Sequence, residues 1–234
     1  MTEPRVVALN HVGVSVADLD RARSFWSSLG AVDHDCFSWP VGTAPADESL
    51  ATAGTAASVS ILRTDAAFLE LFSFASPTPA PLPAGAPGVA GLVWAVPPGT
   101  ATGGVTCPDG TPVSLVEAGD GPRGLVGVRV RVADPDAHPL PPVPGPVEVV
   151  VDGGADVAPA RPVDLGVNHL CLDVAGIAGM RSSLAAGVRW HHGVTESSGG
   201  IAAVCYGTTH DGVLVELLES RSDDAFLARC RLAR

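Results

Sequence analysis

The chain has 234 residues, 46% of them hydrophobic, enough to bury one large core or two small ones. Its formal net charge of -11 comes without a basic run, which argues against nucleic acid, since phosphate binding relies on clustered Lys and Arg. Lysine is absent and all 14 basic residues are arginines, which excludes Schiff-base chemistry, a pyridoxal phosphate anchor and a P-loop lysine.

The first predicted element is the strand ALNHVGVSV, Ala8 to Val16. Its alternation with period two points Val12, Val14 and Val16 one way and His11, Gly13 and Ser15 the other, as in a half-buried strand. DLDRARSFWSSLG then reads as a helix, with Asp18 or Asp20 as N-cap, Ala22, Phe25, Trp26 and Leu29 on one face, and Gly30 as a stop. Strands near Ala31 to Trp39, Ala57 to Thr64 and Phe68 to Phe74 complete a β-α-β-β-β module over residues 1–75. The proline-rich segment Ser76 to Gly88 is a linker by composition.

The same strand pattern restarts three times, at GVAGLVWAV (Gly88), GLVGVRVRV (Gly124) and GVNHLCLDV (Gly166). The position of His11 is taken in turn by Gly91, Gly127 and His169. A closing strand repeats too, aligning Glu70 with Ser114 in PDGTPVSLV and Glu216 in HDGVLVELL. In the third module only PVEVVVDGG is available, and its distance from the next module start aligns Glu148 with Glu70. Internal repeats decide the architecture before any single residue does. The two inner modules, residues 88–165, are degenerate: PPGTATGG and AHPLPPVPGPV stand where helices belong, and proline at that density prevents helix.

The last module, residues 166–220, is complete again. Leu170, Leu172 and Val174 oppose His169, Cys171 and Asp173 on its first strand. A helix with Ile177, Met180 and Leu184 on one face runs to Gly187. Strands near Arg189 to Thr195, Ile201 to Tyr206 and Val213 to Leu218 follow, then a tail over 221–234. The chain's only two asparagines, Asn10 and Asn168, each directly precede the repeated histidine. An imidazole at the same register of two matching strands is how duplication builds a metal site.

Four such units, with His on the first strand and Glu on the last, resemble the vicinal oxygen chelate superfamily, which includes glyoxalase I, methylmalonyl-CoA epimerase, extradiol dioxygenases and the fosfomycin and bleomycin resistance proteins. The resemblance implies an α+β fold in which paired modules make cupped mixed sheets. Carried over residue by residue, it implies His11, Glu70, His169 and Glu216 as ligands of one divalent ion. It also implies that the outer modules pair with each other, uniting all four. The residues agree with this: two imidazoles and two carboxylates suit Ni, Co, Fe, Mn or Zn. Glu70 and Glu216 sit in the apolar runs FLELF and LVELL, where an unpaired carboxylate is costly.

Phe68 and Phe72 share the face of Glu70, and Cys171, Asp173 and Tyr206 complete the expected substrate-binding set. Three chemistries stay open. The first is an isomerase or lyase acting on a small oxygenated substrate through a metal-stabilised enolate, with Glu70 and Glu216 as the catalytic carboxylates. The second is a non-haem iron dioxygenase of extradiol type, suggested by YGTTHDGVLVE, although the histidine expected shortly before its tyrosine is missing. The third is a small-molecule binding or resistance protein. No apolar stretch of about 18 residues suits a membrane span, MTEPRVV lacks a signal-peptide pattern, and the five cysteines show no CxxC spacing. The expectation is a cytoplasmic monomer or homodimer whose partner is a small molecule.

Overall fold

The computed structural model describes residues 3–230; residues 1–2 of the first module and 231–234 of the tail lie outside the described residues. The chain runs β1 (Arg5–Ser15), α1 (Leu19–Ser28), β2 (Val32–Trp39), α2 (Ala44–Ser49), β3 (Ala56–Arg63) and β4 (Phe68–Ser76). Then come β5 (Gly88–Val96), β6 (Gly103–Thr106), β7 (Pro112–Glu117), β8 (Gly124–Arg131) and β9 (Glu148–Asp152). It closes with β10 (Gly166–Ala175), α3 (Ile177–Ser183), β11 (Val188–Trp190), β12 (Thr195–Ser197), β13 (Ala202–Thr209) and β14 (Leu214–Ser220). The class is α+β. No helix among the described residues is long and apolar enough to cross a membrane.

Two sheets form. β1 lies antiparallel to β10 at the centre of a nine-stranded sheet ordered β11-β13-β14-β10-β1-β4-β3-β2, with β12 on β13. The middle of the chain makes a five-stranded sheet ordered β6-β7-β5-β8-β9. One face of the large sheet (Leu9, Val12, Val14, Leu170, Leu172, Leu217) packs against Leu92, Trp94, Leu125 and Val128 of the small one. The helix α1 locks the two together. Asp18 caps it by accepting from Arg21 N–H at 2.9 Å, and Gly30 ends it at φ +96°. Its buried Trp26 packs on Trp94, ring centroids 4.8 Å apart, while Trp94 Nε1 donates to the Leu29 carbonyl at 2.9 Å.

Several local expectations are corrected. The helix α3 stops at Ser183 rather than Gly187, because the Ser182 and Ser183 hydroxyls bond back to the Ala178 and Met180 carbonyls and compete with helical bonding. The strand expected over Arg189 to Thr195 splits into β11 and β12 around residues 191–194. There His191 is held by the Ser49 carbonyl and the Thr208 hydroxyl, at 2.8 Å each. The short helix α2 was not legible in the sequence. Glu148 is not the counterpart of Glu70. Glu70 pairs with Gly13, two residues after His11, but the residue two after Gly127 is Arg129, which pairs with Val150. Counting along a linker does not set register; backbone hydrogen bonds do.

The β1–β10 pairing is interrupted where the site lies. Leu9 faces Leu172 and His11 faces Cys171, so Asn10 is an extra residue in β1; Gly13 faces His169 and Val14 faces Val167, so Asn168 is an extra residue in β10. Each is a β-bulge, which re-aims the side chains at that point of the strand. Alternation therefore holds from His11 onward and breaks at Asn10, letting Leu9 and Val12 both enter the core. The β5–β8 pairing has the same two bulges, at Ala90 and Val126.

Candidate metal centre

The face of the large sheet turned away from the core forms the site. Across neighbouring strands the register runs His11 to Cys171 to Glu216, and Glu70 to Gly13 to His169. Parallel pairing of β1 with β4 and of β10 with β14 thus puts each module's carboxylate in one row with the other module's imidazole. The antiparallel β1–β10 seam then joins the two halves.

All four side chains converge. His11 Nε2 lies 3.0 Å from His169 Nε2, 3.1 Å from Glu216 Oε2 and 3.3 Å from Glu70 Oε2. His169 Nε2 lies 3.5 Å from Glu216 Oε2 and 3.7 Å from Glu70 Oε2. Two donors each about 2.1 Å from one ion stand about 3.0 Å apart at a right angle and about 3.4 Å apart at the tetrahedral angle. The five separations bracket those values. His11, Glu70, His169 and Glu216 are all at most 4% exposed.

Four acceptors this close and this dry need a cation between them. The Nδ1 atoms of both rings are committed elsewhere, to Asn10 Oδ1 at 3.0 Å and Asn168 Oδ1 at 2.6 Å, so both Nε2 atoms face the carboxylates. Glu216 Oε2 is buried with no aligned hydrogen-bond donor. Burial lowers the basicity of His11, but Glu216 and then Glu70 outweigh it, and without a metal its pKa is pushed up to about 10. Glu216 is shifted the other way: burial would raise its pKa, but the two imidazoles hold it well below the carboxylate range. The donor set therefore fits a divalent ion. Cys171 offers a further donor, its sulfur within 4.8 Å of ligand atoms of His11 and Glu216. Burial first, then the charges of Glu216 and Asp173, push its thiol well up.

The other predicted residues fall on the same face. Phe68, Phe72 and Phe74 form an apolar wall with Cys171, Leu214 and Leu218. Phe72 and Tyr206 stand edge-on to His169, with centroids 5.9 and 5.8 Å away. Tyr206 faces Glu216 across the β13–β14 pairing; burial, then Glu216 and Glu70, raise its pKa well above the usual range. Asp173 is buried, its carboxyl raised to about 6 by burial first, against the lowering pull of Arg229 and a hydrogen bond with Asn10. Arg129 lies outside this set, exposed beside Asp152.

The tail was missed. Phe226, Leu227 and Cys230 pack on the apolar wall, and the Phe226 and Leu227 carbonyls accept from His34 Nε2 at 2.6 Å and Asn10 Nδ2 at 3.0 Å. Its one signal in sequence is the apolar run Ala225 to Ala228 in an otherwise polar end. A cleft of ≈ 280 Å³ borders the site through Asn168 and Leu214, with Thr208, Arg161 and Arg189 in its wall.

No family model matches this sequence, and comparison with curated proteins gives no match. Solved structures do match. Glyoxalase I from Zea mays is 13% identical, with a TM-score of 0.65 over 93% of this chain and 92% of that one. A putative dioxygenase from Bacillus subtilis is 12% identical, with a TM-score of 0.64 over 93% and 86%. The cppA protein of Streptococcus pneumoniae is 11% identical, with a TM-score of 0.56 over 92% and 100%. The chain has the fold of the vicinal oxygen chelate proteins. At these identities the likeness is one of fold.

Proposed function

We propose that the chain is a divalent-metal-dependent enzyme, an isomerase or lyase that moves a proton on a small oxygenated substrate. The approach of two imidazoles to each other and to both carboxylates, at 3.0–3.7 Å in a buried cup, carries this reading. His11, His169, Glu216 and Glu70 would hold the ion. A bound divalent ion supplies Lewis acidity, which makes a C–H next to a coordinated carbonyl acidic.

The chain's own groups then do the rest. Glu70 and Glu216 approach from different modules and so meet opposite sides of a substrate seated between them. Glu216 is the firmer ligand, since both imidazoles lie nearer to it than to Glu70. Glu70 shares its strand face with Phe68, Phe72 and Phe74, whose apolar wall keeps bulk water away from it. We assign it the proton transfer, which requires it to reach within about 3 Å of the substrate C–H. Phe68, Phe72 and Tyr206 exclude water around that carbon.

An oxygenase is the competing reading, and the fourth donor speaks against it: iron oxygenases of the two-histidine, one-carboxylate type leave three positions free. The test is metal analysis of protein purified without added metal, followed by a screen of α-hydroxy and α-keto carbonyl compounds in D2O. Stoichiometric metal, absent in His169→Ala and retained in Glu148→Gln, with deuterium entering the substrate, supports the proposal. Oxygen consumption with the active compound, or equal metal in both variants, overturns it.

A further inference from the structure

The bulges at Asn10 and Asn168 do more than bend the sheet. Each turns an asparagine onto the same side as the histidine that follows it, so that side chains of adjacent residues meet: Asn10 Oδ1 with His11 Nδ1, and Asn168 Oδ1 with His169 Nδ1. A carboxamide presents an oxygen on one side and an NH2 on the other, and which side faces the imidazole decides which ring nitrogen carries the proton. The surroundings settle that here.

Asn10 Nδ2 donates to the Leu227 carbonyl at 3.0 Å. A carbonyl only accepts, so the NH2 must face the tail and the oxygen must face the ring. For Asn168 the chain is one link longer. Nδ2 donates to Ser15 Oγ at 3.1 Å, and Ser15 Oγ donates onward to the Pro162 carbonyl at 3.4 Å. With its proton spent on Pro162, the hydroxyl can only accept from Asn168. Both chains run one way, and both end on a backbone carbonyl.

We propose that Asn10 and Asn168 are paired positioning residues, each holding the next histidine with its proton on Nδ1 and its Nε2 aimed at the centre of the cup. The proposal rests on the metal reading. The inner modules separate this role from a merely structural one. Ala90 and Val126 form the same bulges ahead of Gly91 and Gly127, so the bulge itself does not require asparagine. Where the imidazole is gone, the carboxamide is gone too. The two chains also differ in what they depend on: His11 is oriented through the C-terminal tail, His169 through β1 and the loop at Pro162.

The experiment uses the full chain loaded with Co(II) alone, comparing Asn10→Ala, Asn168→Ala and Asn168→Asp. Two readouts are taken: the Co(II) dissociation constant, and the solvent-exchangeable, paramagnetically shifted imidazole N–H resonances. The alanine variants should bind Co(II) roughly 10- to 100-fold more weakly, the usual scale for losing an outer-shell partner. Each should speed solvent exchange of one N–H resonance and leave the other unchanged. Asn168→Asp, which retains an accepting oxygen and can take the Ser15 hydroxyl as a donor, should bind within a few-fold of the parent. Alanine variants with parental affinity and exchange, or an Asp variant as weak as Ala, would overturn the positioning role. A parent chain that binds no Co(II) would overturn the metal reading, and this inference with it.

Discussion

His11 Nε2 and His169 Nε2 stand 3.0 Å apart, although 158 positions separate them in the chain. Only a lone pair, a proton or a metal ion fits between two imidazole nitrogens at that distance. Lone pairs alone would repel, and the two carboxylates alongside add to the demand for positive charge.

In metal-free protein that charge is a proton on His11. Its pKa rises from 6.5 to about 10, so the stability it contributes is fully present below pH 6.5 and lost as pH rises through about 10. Chelator-treated protein should therefore melt at progressively lower temperature between those limits, while metal-loaded protein should not. Metal must displace this proton, so apparent affinity should climb with pH over the same window, by about tenfold per unit. Calorimetric titration in buffers of different ionisation enthalpy checks the released proton.

Gly13 is required by the site rather than by its backbone. A Cβ there would lie 2.2 Å from His169 Cε1 and Nδ1 and 2.4 Å from Asn168 Oδ1. Gly13→Ala should displace the imidazole, weaken metal binding at least tenfold, and cost about 1–3 kcal/mol in stability, the scale of overpacking. Gly104→Ala, with nothing within 4 Å of the added carbon, is the matched control. Metal titration and denaturant melts distinguish them.

The carboxylates should divide their labour. Glu70→Gln should keep its metal and lose turnover by about 10² or more, the scale of a missing general base. Glu216→Gln should lose metal first, since the imidazoles approach it more closely (3.1 and 3.5 Å) than they approach Glu70 (3.3 and 3.7 Å). Metal content and initial rates on the compound found by the deuterium screen decide; metal loss in Glu70→Gln would reverse the assignment.

Asp173 should be a net cost at neutral pH. Burial, with some help from Glu219, lifts its carboxyl from 3.8 to about 6 against Arg229 and Asn10. Whatever it contributes is present below pH 3.8 and lost as pH rises through about 6. Asp173→Asn should therefore stabilise the fold by about 1–3 kcal/mol at pH 8 and by nothing near pH 3.5. Denaturation curves at the two values measure it.

The sequence by itself determined the repeat, the α+β class and the recurrence of a histidine and a glutamate in both outer modules. Strand alternation and the recurrence of His11 with His169, and of Glu70 with Glu216, are written in residues close enough to be read locally. The replacement of the repeated histidine in the five-stranded sheet was legible for the same reason, in Gly91 and Gly127. Only the tertiary structure decided the rest. The place of Glu148 depends on hydrogen bonds to another strand, which put Val150 opposite Arg129 instead. The bulges at Asn10 and Asn168 exist only in relation to a partner one residue shorter. The docking of Phe226 and Leu227 is invisible in a tail without periodicity, because it is specified by the apolar wall and the Asn10 donor that receive it. Alternation and repeats belong to one strand at a time; register, bulges and covering segments belong to pairs.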